Sequence, residues 1–584
     1  MSRNLSILGV IAVIVALPFV FRQSQHTGDW RAGDPVIVVV TPHNEAIRYE
    51  FEAAFSRWHR QRFGKPVKID WRNIGGTTEI NRYLNSEFTA STRAWWKAQG
   101  KRWPDGMTDA LTASRPPADP ALAEIHAAAR AIDDPAQIST NIDIFFGGGE
   151  FDHSAAFRSG VSVACGDELP QELFVAADGT PLIPERVSGE VWRTPYMFGN
   201  VVSTFGIVYN IDRLRDLGIA APPHRWDDLA DPRYFRQVGL ADPTKSGSVA
   251  KAFELIVHQK MHDAVRAAGF SEDQIEAAER DIAAFQASTS GAKRGEVPEP
   301  LRAYQQALEN GFEDGLALVQ SIGANARYFT DSGSKVPIDV SMGDAAVGMA
   351  IDFYGRYQAQ NSAGPDGRER MVYVPAAGGT SVSCDPISLL RGAPNRQTAL
   401  RFIEFVLSED GQRLWTYKPG TPGGPEKYAL RRLPIRRDFY PSTNPAIQAA
   451  HLRHAQFAAD DIGHPDVDPY ALAEHFVYRR RWTGEHFGFL REIVRAMCLD
   501  SGDELRRAWA AIHRGTSVDP TLLRKLRTLP AVRLTTKEGA KVEAPLNWQT
   551  APDFRRNFDP LEYMREWTAA FRHQYQEVAR EAVR

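Results

Sequence analysis

A run of apolar, mostly β-branched residues that passes directly into a helical pattern constrains the fold of this chain most strongly. Residues 36–40 read VIVVV, and large apolar side chains then recur at helical spacing, at Ile47, Phe51, Phe55 and Trp58. A continuous apolar strand is typical of a sheet that helices cover on both faces. VKIDWRN followed by GGTTEINRYLNSEF, and then IDIFFGGG, repeat the alternation. We therefore predict a parallel sheet in an α/β fold.

Polar residues and glycines follow each predicted strand, at the carboxyl ends where sheets of this kind bind ligands. These stretches are TPHN, GGTT and GGGE. A glycine lets a ligand approach the backbone, and threonine hydroxyls can donate hydrogen bonds. The candidate ligand-binding residues here are His43, Asn44, Thr77, Thr78, Gly148 and Gly149. The alternative is that the glycines form tight turns without a ligand and that His43 is a polar loop residue.

The stretch ADPTKSGS, residues 241–248, places two serines and a glycine where a helical pattern begins. Backbone N–H groups at a helix N-terminus are unpaired and carry partial positive charge, so they attract anions. Ser246 and Ser248 can add hydroxyl donors, and Gly247 permits close approach. The alternative is that Ser246 only caps the helix. The stretch is not a Walker loop, because the GxxxxGK[ST] spacing is absent.

Composition and charge exclude several classes of protein. A formal net charge of −3 provides no global field that would draw the chain to nucleic acid or anionic lipid. The three cysteines show no CxxC spacing, which excludes a disulfide scaffold and provides no zinc pattern. A Cys165–Cys384 bridge and three unpaired thiols remain alternatives. GxSxG, HExxH and GxGxxG are absent, so we predict neither an enzyme nor a cofactor.

The N-terminus has the layout of an export signal. Arg3 precedes an uncharged apolar stretch from Leu5 to Phe21, and Arg22 follows it. Residues 1–24 are therefore either a cleaved signal peptide or an uncleaved membrane anchor, in which residues 5–21 would form a transmembrane helix. In both cases we expect the remainder to be periplasmic or otherwise extracytoplasmic.

A set of segments in fixed order carries a resemblance to a known family. The segments are VVVTPHNEAIRYEFEAAF, DIFFGGGEFDH, FGIVYNIDRL, WDDLADPRY, ADPTKSGS, NARYFTDSGSKV, GMAIDFYGR and GGTSVSCDPISLLRGAPN. Over roughly residues 35–440 they resemble the periplasmic solute-binding proteins of ABC importers, in the type II class that includes ferric-ion, phosphosugar and phosphonate binders. Residues beyond 440 match no family pattern.

The resemblance implies two α/β lobes joined by two hinge crossovers, near residues 194–205 and 372–381, with the ligand trapped between them by hinge closure. The implied domains are a first lobe at 35–198 with an insertion at 90–138, a second lobe at 199–374, a return to the first lobe at 375–440, and an α-helical C-terminal extension at 441–584. The extension has many large aromatic residues, which require burial, so we expect it to be folded. We expect it to pack mainly on the first lobe, because that lobe receives the chain at its second return, and to leave closure free, because a tail that spans both lobes would lock the hinge.

The resemblance also implies roles for particular residues. Ser246, Gly247 and Ser248 would hold an anion, and Asn325 would assist them. Arg327 would grip a phosphate or carboxylate, or else it is a solvated residue. The tyrosine pair that ligates iron in ferric binders corresponds here to Phe353-Tyr354, which follows Asp352. One phenolate is missing, and the carboxylate ligand of ferric binders falls at about Gly148, so we predict no metal. An iron site would have only His43 and Tyr354 as matching ligands. Asp352 and Tyr354 are otherwise candidate ligand-binding residues for an organic solute.

Together these observations predict an exported solute-binding protein of an ABC importer, which captures a small solute bearing phosphate, phosphonate or carboxylate. Its partners would be that solute and the permease and ATPase subunits, with membrane contact only through an uncleaved N-terminal segment. The alternatives are a ferric-ion-binding protein and, from another class, a membrane-tethered sensor or a hydrolase that uses the cleft.

Overall fold

The structure is a computed structural model that describes residues 30–289, 296–515 and 518–583. The predicted signal or anchor, residues 1–24, lies outside the described residues. Among the helices of the described ranges, none combines the length and the apolar character that a membrane span requires.

The secondary structure alternates as predicted through the first 440 residues. The strands are, in chain order, β1 (Val36–Val40), β2 (Lys68–Arg72), β3 (Ile144–Phe146), β4 (Arg186–Val187), β5 (Glu190–Val191), β6 (Arg193–Thr194), β7 (Met197–Ser203), β8 (Phe205–Asn210), β9 (Val238–Ala241), β10 (Ala326–Thr330), β11 (Val347–Ile351), β12 (Met371–Pro375), β13 (Ser383–Leu389), β14 (Leu433–Pro434), β15 (Val532–Thr535) and β16 (Lys541–Ala544).

The α-helices are α1 (Glu45–Phe63), α2 (Thr77–Ala98), α3 (Met107–Leu111), α4 (Pro120–Ala131), α5 (Glu150–Arg158), α6 (Ile211–Asp216), α7 (Gly247–Ala267), α8 (Glu272–Ser288), α9 (Arg302–Ala324), α10 (Lys335–Met342), α11 (Asp352–Asn361), α12 (Arg396–Leu407), α13 (Glu409–Thr416), α14 (Pro445–Ala455), α15 (Pro469–Ala473), α16 (Phe487–Val494), α17 (Gly502–Ile512), α18 (Pro520–Arg527), α19 (Phe554–Asn557) and α20 (Pro560–Glu581). A π-helical turn, Arg495–Asp500, continues α16.

The first lobe is built on a seven-stranded sheet of the described residues, with the order β14-β7-β13-β3-β1-β2 and β6 paired to β7. β1 runs parallel to β2 and β3, whereas β13 returns antiparallel to β3. The apolar face of α1 packs on this sheet together with α12 and α13, through Phe51, Phe402 and Trp415. α1 begins at Asn44, whose Oδ1 accepts from the Ile47 N–H at 3.1 Å.

The predicted insertion at 90–138 is wrong at its start, because α2 continues without a break to Ala98. A helix repeats its apolar positions every three or four residues, and Leu84, Phe88 and Trp96 keep α2 on one buried face across the predicted boundary. α3 and α4 follow and join the same apolar cluster, on the side of the sheet away from α1.

The second lobe is built on a five-stranded sheet with the order β10-β9-β11-β8-β12. α7 and α9 pack closely against each other beside it. A Cβ added to Gly311 would lie 2.4 Å from the Met261 Cα, and one added to Gly315 would lie 2.6 Å from the Val257 Cα. Glycine is therefore required at both positions for this helix contact.

Up to Tyr440 the chain crosses between the lobes at two places, and it crosses again between Ala473 of the first lobe's core and Phe476 of the second lobe's core. β7 belongs to the first sheet and β8 to the second, so the first crossover is at Thr204, within the predicted range. The predicted lobe boundary at 198/199 falls inside β7 and is six residues early. The second crossover, residues 376–382, connects β12 to β13. Two α/β lobes with two crossovers confirm the predicted fold class.

The C-terminal region, residues 441–583, differs from the expectation in two respects. It is not purely helical, because β15 and β16 form an antiparallel hairpin. It also packs mainly on the second lobe: from Phe476 onward its apolar side chains share one continuous core with that lobe. The reason lies in α9, which is buried nearly all round in its C-terminal half and needs a cover that the rest of its lobe does not provide.

All three cysteines are free and buried, so the structure has three unpaired thiols and not a Cys165–Cys384 bridge. Burial raises the pKa of Cys165 to about 12 and that of Cys384 well above its ordinary value. The thiols are therefore poor nucleophiles at neutral pH.

Candidate functional site

A cavity of about 480 Å³ lies between the two lobes, close to both crossovers. Its walls come from three parts of the chain. The first lobe contributes His43, Thr77, Gly148, Gly149, Glu190 and Asp385; the second contributes Ser246, Gly247, Ser248, Lys251, Phe353 and Tyr354; the C-terminal region contributes Tyr478, Arg480, Gly484 and Phe487.

The N-termini of α2, α5 and α7 meet at this cavity. The residues that precede α2 and α5 are Gly76 and Gly149, and neither helix has a side-chain cap. A Cβ added to Gly76 would lie 3.0 Å from the Lys245 carbonyl oxygen across the cleft, and one added to Gly247 would lie 3.4 Å from the Thr77 Oγ1. The glycines thus bring two lobes and three helix dipoles to one place, where the field favours negative charge.

Hydroxyl groups line the second lobe's side of the cavity. Ser246 caps α7, since its Oγ accepts from the Val249 N–H at 3.4 Å, and the same oxygen lies 3.3 Å from the Ser248 Oγ. The loop after β10 brings Gly333 against them, because a Cβ there would lie 3.0 Å from the Ser246 Oγ. Ser246 therefore caps α7 and also lines the cavity, so the two roles do not exclude each other.

A buried ionic cluster joins α7 to the first lobe at the cavity wall. The Lys251 Nζ lies 3.1 Å from carboxylate oxygens of both Glu190 and Glu254, and 3.6 Å from the centre of the Tyr478 ring. The Tyr478 hydroxyl donates to Glu254 at 2.6 Å. Burial alone would lower the pKa of Lys251, but the two carboxylates raise it above its ordinary value, so this lysine is charged. Sequence reasoning missed the cluster, although Lys251 follows Gly247 by one helical turn.

Asp152 lies where the three helices meet. Its Oδ1 accepts from the Asn81 amide at 3.4 Å. Burial raises the pKa of this carboxyl, whereas Arg491 lowers it. The Arg491 guanidinium itself donates to the Pro243 carbonyl at 2.7 Å, to the Thr244 carbonyl at 2.9 Å and to the Thr78 Oγ1 at 2.9 Å. Arg491 belongs to the C-terminal region, and no signal in the sequence placed it here.

His43 lies at the base of the cavity in a charged triad. Its Nε2 is 3.7 Å from the Asp385 Oδ2, and that carboxylate accepts from Arg432 at 2.6 Å. The Arg432 guanidinium also lies 4.1 Å from the centre of the Phe353 ring and so connects the lobes. Burial lowers the pKa of His43 and the neighbouring Arg432 lowers it further, against the effect of Asp385, so the imidazole is neutral at pH 7.

Several predicted site residues lie away from the cavity walls. Asn44 is used as the cap of α1, and Thr78 accepts from Arg491. Asn325 is fully buried beneath β9 and donates to the carbonyls of Leu229 and Asp231 at 3.0 and 2.8 Å. Arg327 is exposed on β10. Asn325 and Arg327 were predicted as ligand contacts because they belong to a segment that resembles the family. A segment match does not determine the direction in which a side chain points.

Asp352 also lies outside the cavity walls, next to the first crossover. Its backbone N–H donates to the Thr204 carbonyl at 3.0 Å, and its Oδ1 accepts from the Phe353 N–H at 2.8 Å. Burial raises the pKa of this carboxyl to about 6, although Arg356 and Arg432 oppose the shift.

The raised pKa of Asp352 predicts a pH-dependent effect of Asp352→Asn on stability. Between about pH 4 and pH 6 the folded protein holds a proton that the unfolded chain releases, so the wild type loses up to about 2–3 kcal/mol of stability as the pH rises through this window. The asparagine variant lacks this loss. Its free energy of unfolding relative to wild type should therefore rise between pH 4 and pH 7, measured by urea denaturation.

The fully exposed Asp105 is the matched control, since Asp105→Asn should show the same difference from wild type at both pH values. A difference for Asp352→Asn that does not change with pH would contradict the assignment of a raised pKa.

The described residues contain no group of three or more histidine, cysteine, aspartate or glutamate side chains placed to hold a metal ion. The donors at the cavity are hydroxyls, helix N-termini and a lysine, which suit an anion rather than a cation.

A family of known proteins matches the part of the chain that forms much of this cavity. Residues 167–440 match the family of bacterial extracellular solute-binding proteins. The resemblance to solute-binding proteins is therefore confirmed. The matched region contains the whole second lobe and the return to the first, including the α7 N-terminus and the crossovers. The family is described as extracellular and solute-binding, which is consistent with a location outside the cytoplasmic membrane.

Individual relatives are distant. An uncharacterized protein of Haemophilus influenzae is 22% identical over 231 residues, which are 40% of this chain and 49% of that protein. The chain thus spans about half the length of this curated relative.

The similar solved structures include a periplasmic binding protein, a ferric binding protein and an ABC transporter substrate-binding protein. AfuA from Actinobacillus pleuropneumoniae with bound fructose-6-phosphate is 14% identical, with a TM-score of 0.43 over 77% of this chain and 97% of that one. A ferric binding protein from Campylobacter jejuni is 12% identical, with a TM-score of 0.41 over 78% and 99%. The spermidine/putrescine-binding PotD from Streptococcus pneumoniae is 11% identical, with a TM-score of 0.41 over 79% and 99%.

Proposed function

We propose that this protein is the exported solute-binding component of an ABC importer and that it captures a small anionic solute between its lobes. The solute would carry a phosphate, phosphonate or carboxylate group. The observation that carries the proposal is the meeting of three helix N-termini with the Ser246 and Ser248 hydroxyls at one cavity. The permease and ATPase of the importer would be the protein partners, as the family match suggests.

The size of the cavity supports a small solute. A volume of about 480 Å³ lies within the range of roughly 300–1,000 Å³ that small-molecule sites occupy. Phe353, Tyr354 and Phe487 supply apolar surface on its walls, so the solute would be organic rather than a bare inorganic ion.

Cations of the protein pair with several of the acidic side chains on the walls and so reduce their repulsion of an anion, and burial raises the pKa of the Asp152 carboxyl, which favours its neutral form. Lys251 pairs with Glu190 and Glu254, and Arg432 pairs with Asp385. Lys245 pairs with Asp331 in the same way, at 2.7 Å. The backbone donors of α2, α5 and α7 come in addition to these pairs, and they determine which charge the site prefers.

A ferric ion would be a poorer occupant. Phe353 supplies no phenolate beside Tyr354, so one anionic oxygen ligand is missing. The Arg432 guanidinium lies 3.4 Å from the Nε2 of His43, which is the histidine that would ligate an ion. A fixed positive charge at that distance repels a trivalent cation.

Replacing both hydroxyls tests the anion site. Ser246→Ala combined with Ser248→Ala should weaken binding at least about tenfold per hydroxyl, because each hydrogen bond to a charged group contributes about 1.5–3 kcal/mol. Titration calorimetry with the compound that co-purifies with the protein, and with inorganic phosphate, measures the effect.

Ser271→Ala is the matched control, because Ser271 caps α8 in the same way and does not line the cavity. It should reduce stability as the loss of a cap does, by about 1 kcal/mol, and leave affinity unchanged. Unchanged affinity in the double variant would reduce Ser246 and Ser248 to helix-capping residues.

A further inference from the structure

The segment 473–491 of the C-terminal region crosses the cleft and contacts both lobes. On the first lobe, the Tyr478 N–H donates to the Ser188 carbonyl at 2.8 Å, and the Ser188 Oγ donates to the Ala473 carbonyl at 2.6 Å. A Cβ added to Gly189 would lie 1.8 Å from the Tyr478 carbonyl oxygen. The β4–β5 hairpin of the first lobe and this segment are therefore in close backbone contact.

The same segment is fixed to the second lobe along α7. The Arg479 N–H donates to the His258 Nε2 at 2.9 Å, and the Thr483 hydroxyl donates to Glu254 at 2.8 Å. Tyr478 lies between the lobes, because its ring covers Lys251 of the second lobe while Lys251 pairs with Glu190 of the first.

At the other side of the cavity, α16 makes a second bridge. Arg491 binds two carbonyls of the second lobe, at Pro243 and Thr244, and the Thr78 hydroxyl of the first. One turn earlier, the Phe487 ring lies 5.0 Å from the ring of Phe151 on α5. This second bridge therefore lies beside the N-termini of α5 and α7, where the lobes meet.

We propose that residues 473–491 form a clasp that holds the lobes together in the absence of solute and closes the third side of the cavity. From Phe476 onward, the contacts of the C-terminal region with the second lobe belong to a continuous core, whereas its contacts with the first lobe are a few hydrogen bonds, an ion pair and one ring contact. The residues before Phe476 pack on the first lobe, where Ala473 belongs to the core. The part of the clasp from Phe476 onward therefore stays on the second lobe when the cleft opens, and the contacts of Tyr478 with Ser188, of Phe487 with Phe151 and of Arg491 with Thr78 break. Solute enters after this separation, so opening depends on the clasp as well as on the hinge.

The distance between the lobes tests the clasp without any solute. Spin labels on Arg82→Cys of α2 and Ile338→Cys of α10, both exposed positions, report this distance by pulsed electron paramagnetic resonance, since the native thiols are buried. In the full chain we expect one narrow distribution. Arg491→Met combined with Phe487→Ala should add a population at longer distance.

Arg495→Met is the matched control. Arg495 lies one turn after Arg491 and also binds the second lobe, through Asp242 and Thr244, but none of its bonds reaches the first lobe. The distribution of distances between the two spin labels in Arg495→Met should be the same as in the labelled full chain without this substitution. If the Arg491 and Phe487 variant does not fold, Thr78→Val removes the acceptor on the first lobe alone and should also populate the longer distance.

A broad distribution in the parent, or the same narrow distribution in Thr78→Val and the double variant, would overturn the clasp. Neither result depends on which solute binds. Failure of the clasp is therefore distinguishable from failure of the proposed function, which the calorimetric experiment tests separately.

Discussion

A chain that ends at Tyr440 should not yield a soluble, cooperatively folded protein. The truncation removes the side chains that cover α9 and α7, including Trp482, Leu490 and Met497, all of which are nearly inaccessible to solvent. It also leaves the amide of the buried Gln320 without its two acceptors, the Leu526 carbonyl and the Tyr575 hydroxyl. Exposure of so large an apolar surface leads to aggregation.

Expression of residues 1–440 and of the full chain, compared by soluble yield, size-exclusion chromatography and thermal denaturation, measures this effect. Co-expression of residues 441–584 as a separate chain is the control, and it should restore solubility in part because the missing surface is supplied again. A soluble 1–440 chain with a single sharp unfolding transition would show that the C-terminal region is not part of the second lobe's core.

Arg432→Met should be the most destabilising single substitution at the cavity. The guanidinium is fully buried and donates to Asp385 at 2.6 Å and to the Ser203 hydroxyl at 2.7 Å. Its removal leaves the Asp385 carboxylate in a buried site without a cation, which costs about 3–5 kcal/mol. The Arg432 contact with Phe353 across the lobes is lost as well. Urea denaturation gives the change in the free energy of unfolding.

Arg62→Met provides the comparison, because Arg62 is half-exposed and pairs with Glu404 at 3.1 Å on the surface. It should change stability by less than about 1 kcal/mol. Adding Asp385→Asn to Arg432→Met should recover part of the loss, since the unpaired charge is then absent. An Arg432→Met effect as small as that of Arg62→Met would contradict a buried ion pair at the base of the cavity.

The sequence allowed the architecture of residues 35–440 to be predicted because the signals are local. An apolar strand such as residues 36–40, a helix cap such as Asn44, and glycines at strand ends each depend on a few adjacent residues. The carboxyl ends of parallel strands then come together by geometry, which is why Thr77, Gly149 and Ser246 were all predicted at the site and do line one cavity.

The remaining contacts depend on packing between distant parts of the chain. Arg491 reaches Thr78 over a sequence separation of 413 residues, and Arg432 reaches His43 over 389. No periodicity encodes such pairs. The one available sign that α9 needs a further cover was that its apolar residues lie on opposite sides of the helix, as Leu316 and Leu318 do, and the structure buries both.

Mass spectrometry of the small molecules released from natively purified protein tests the anion site most directly. The wild type should release one organic compound with a phosphate, phosphonate or carboxylate group, at close to one molecule per chain. The Ser246→Ala, Ser248→Ala variant, purified in parallel, should release little or none of it, while Ser271→Ala should match the wild type. Release of a cationic compound or of iron from the wild type, or equal amounts of the anion from the double variant, would contradict a site built by the N-terminus of α7.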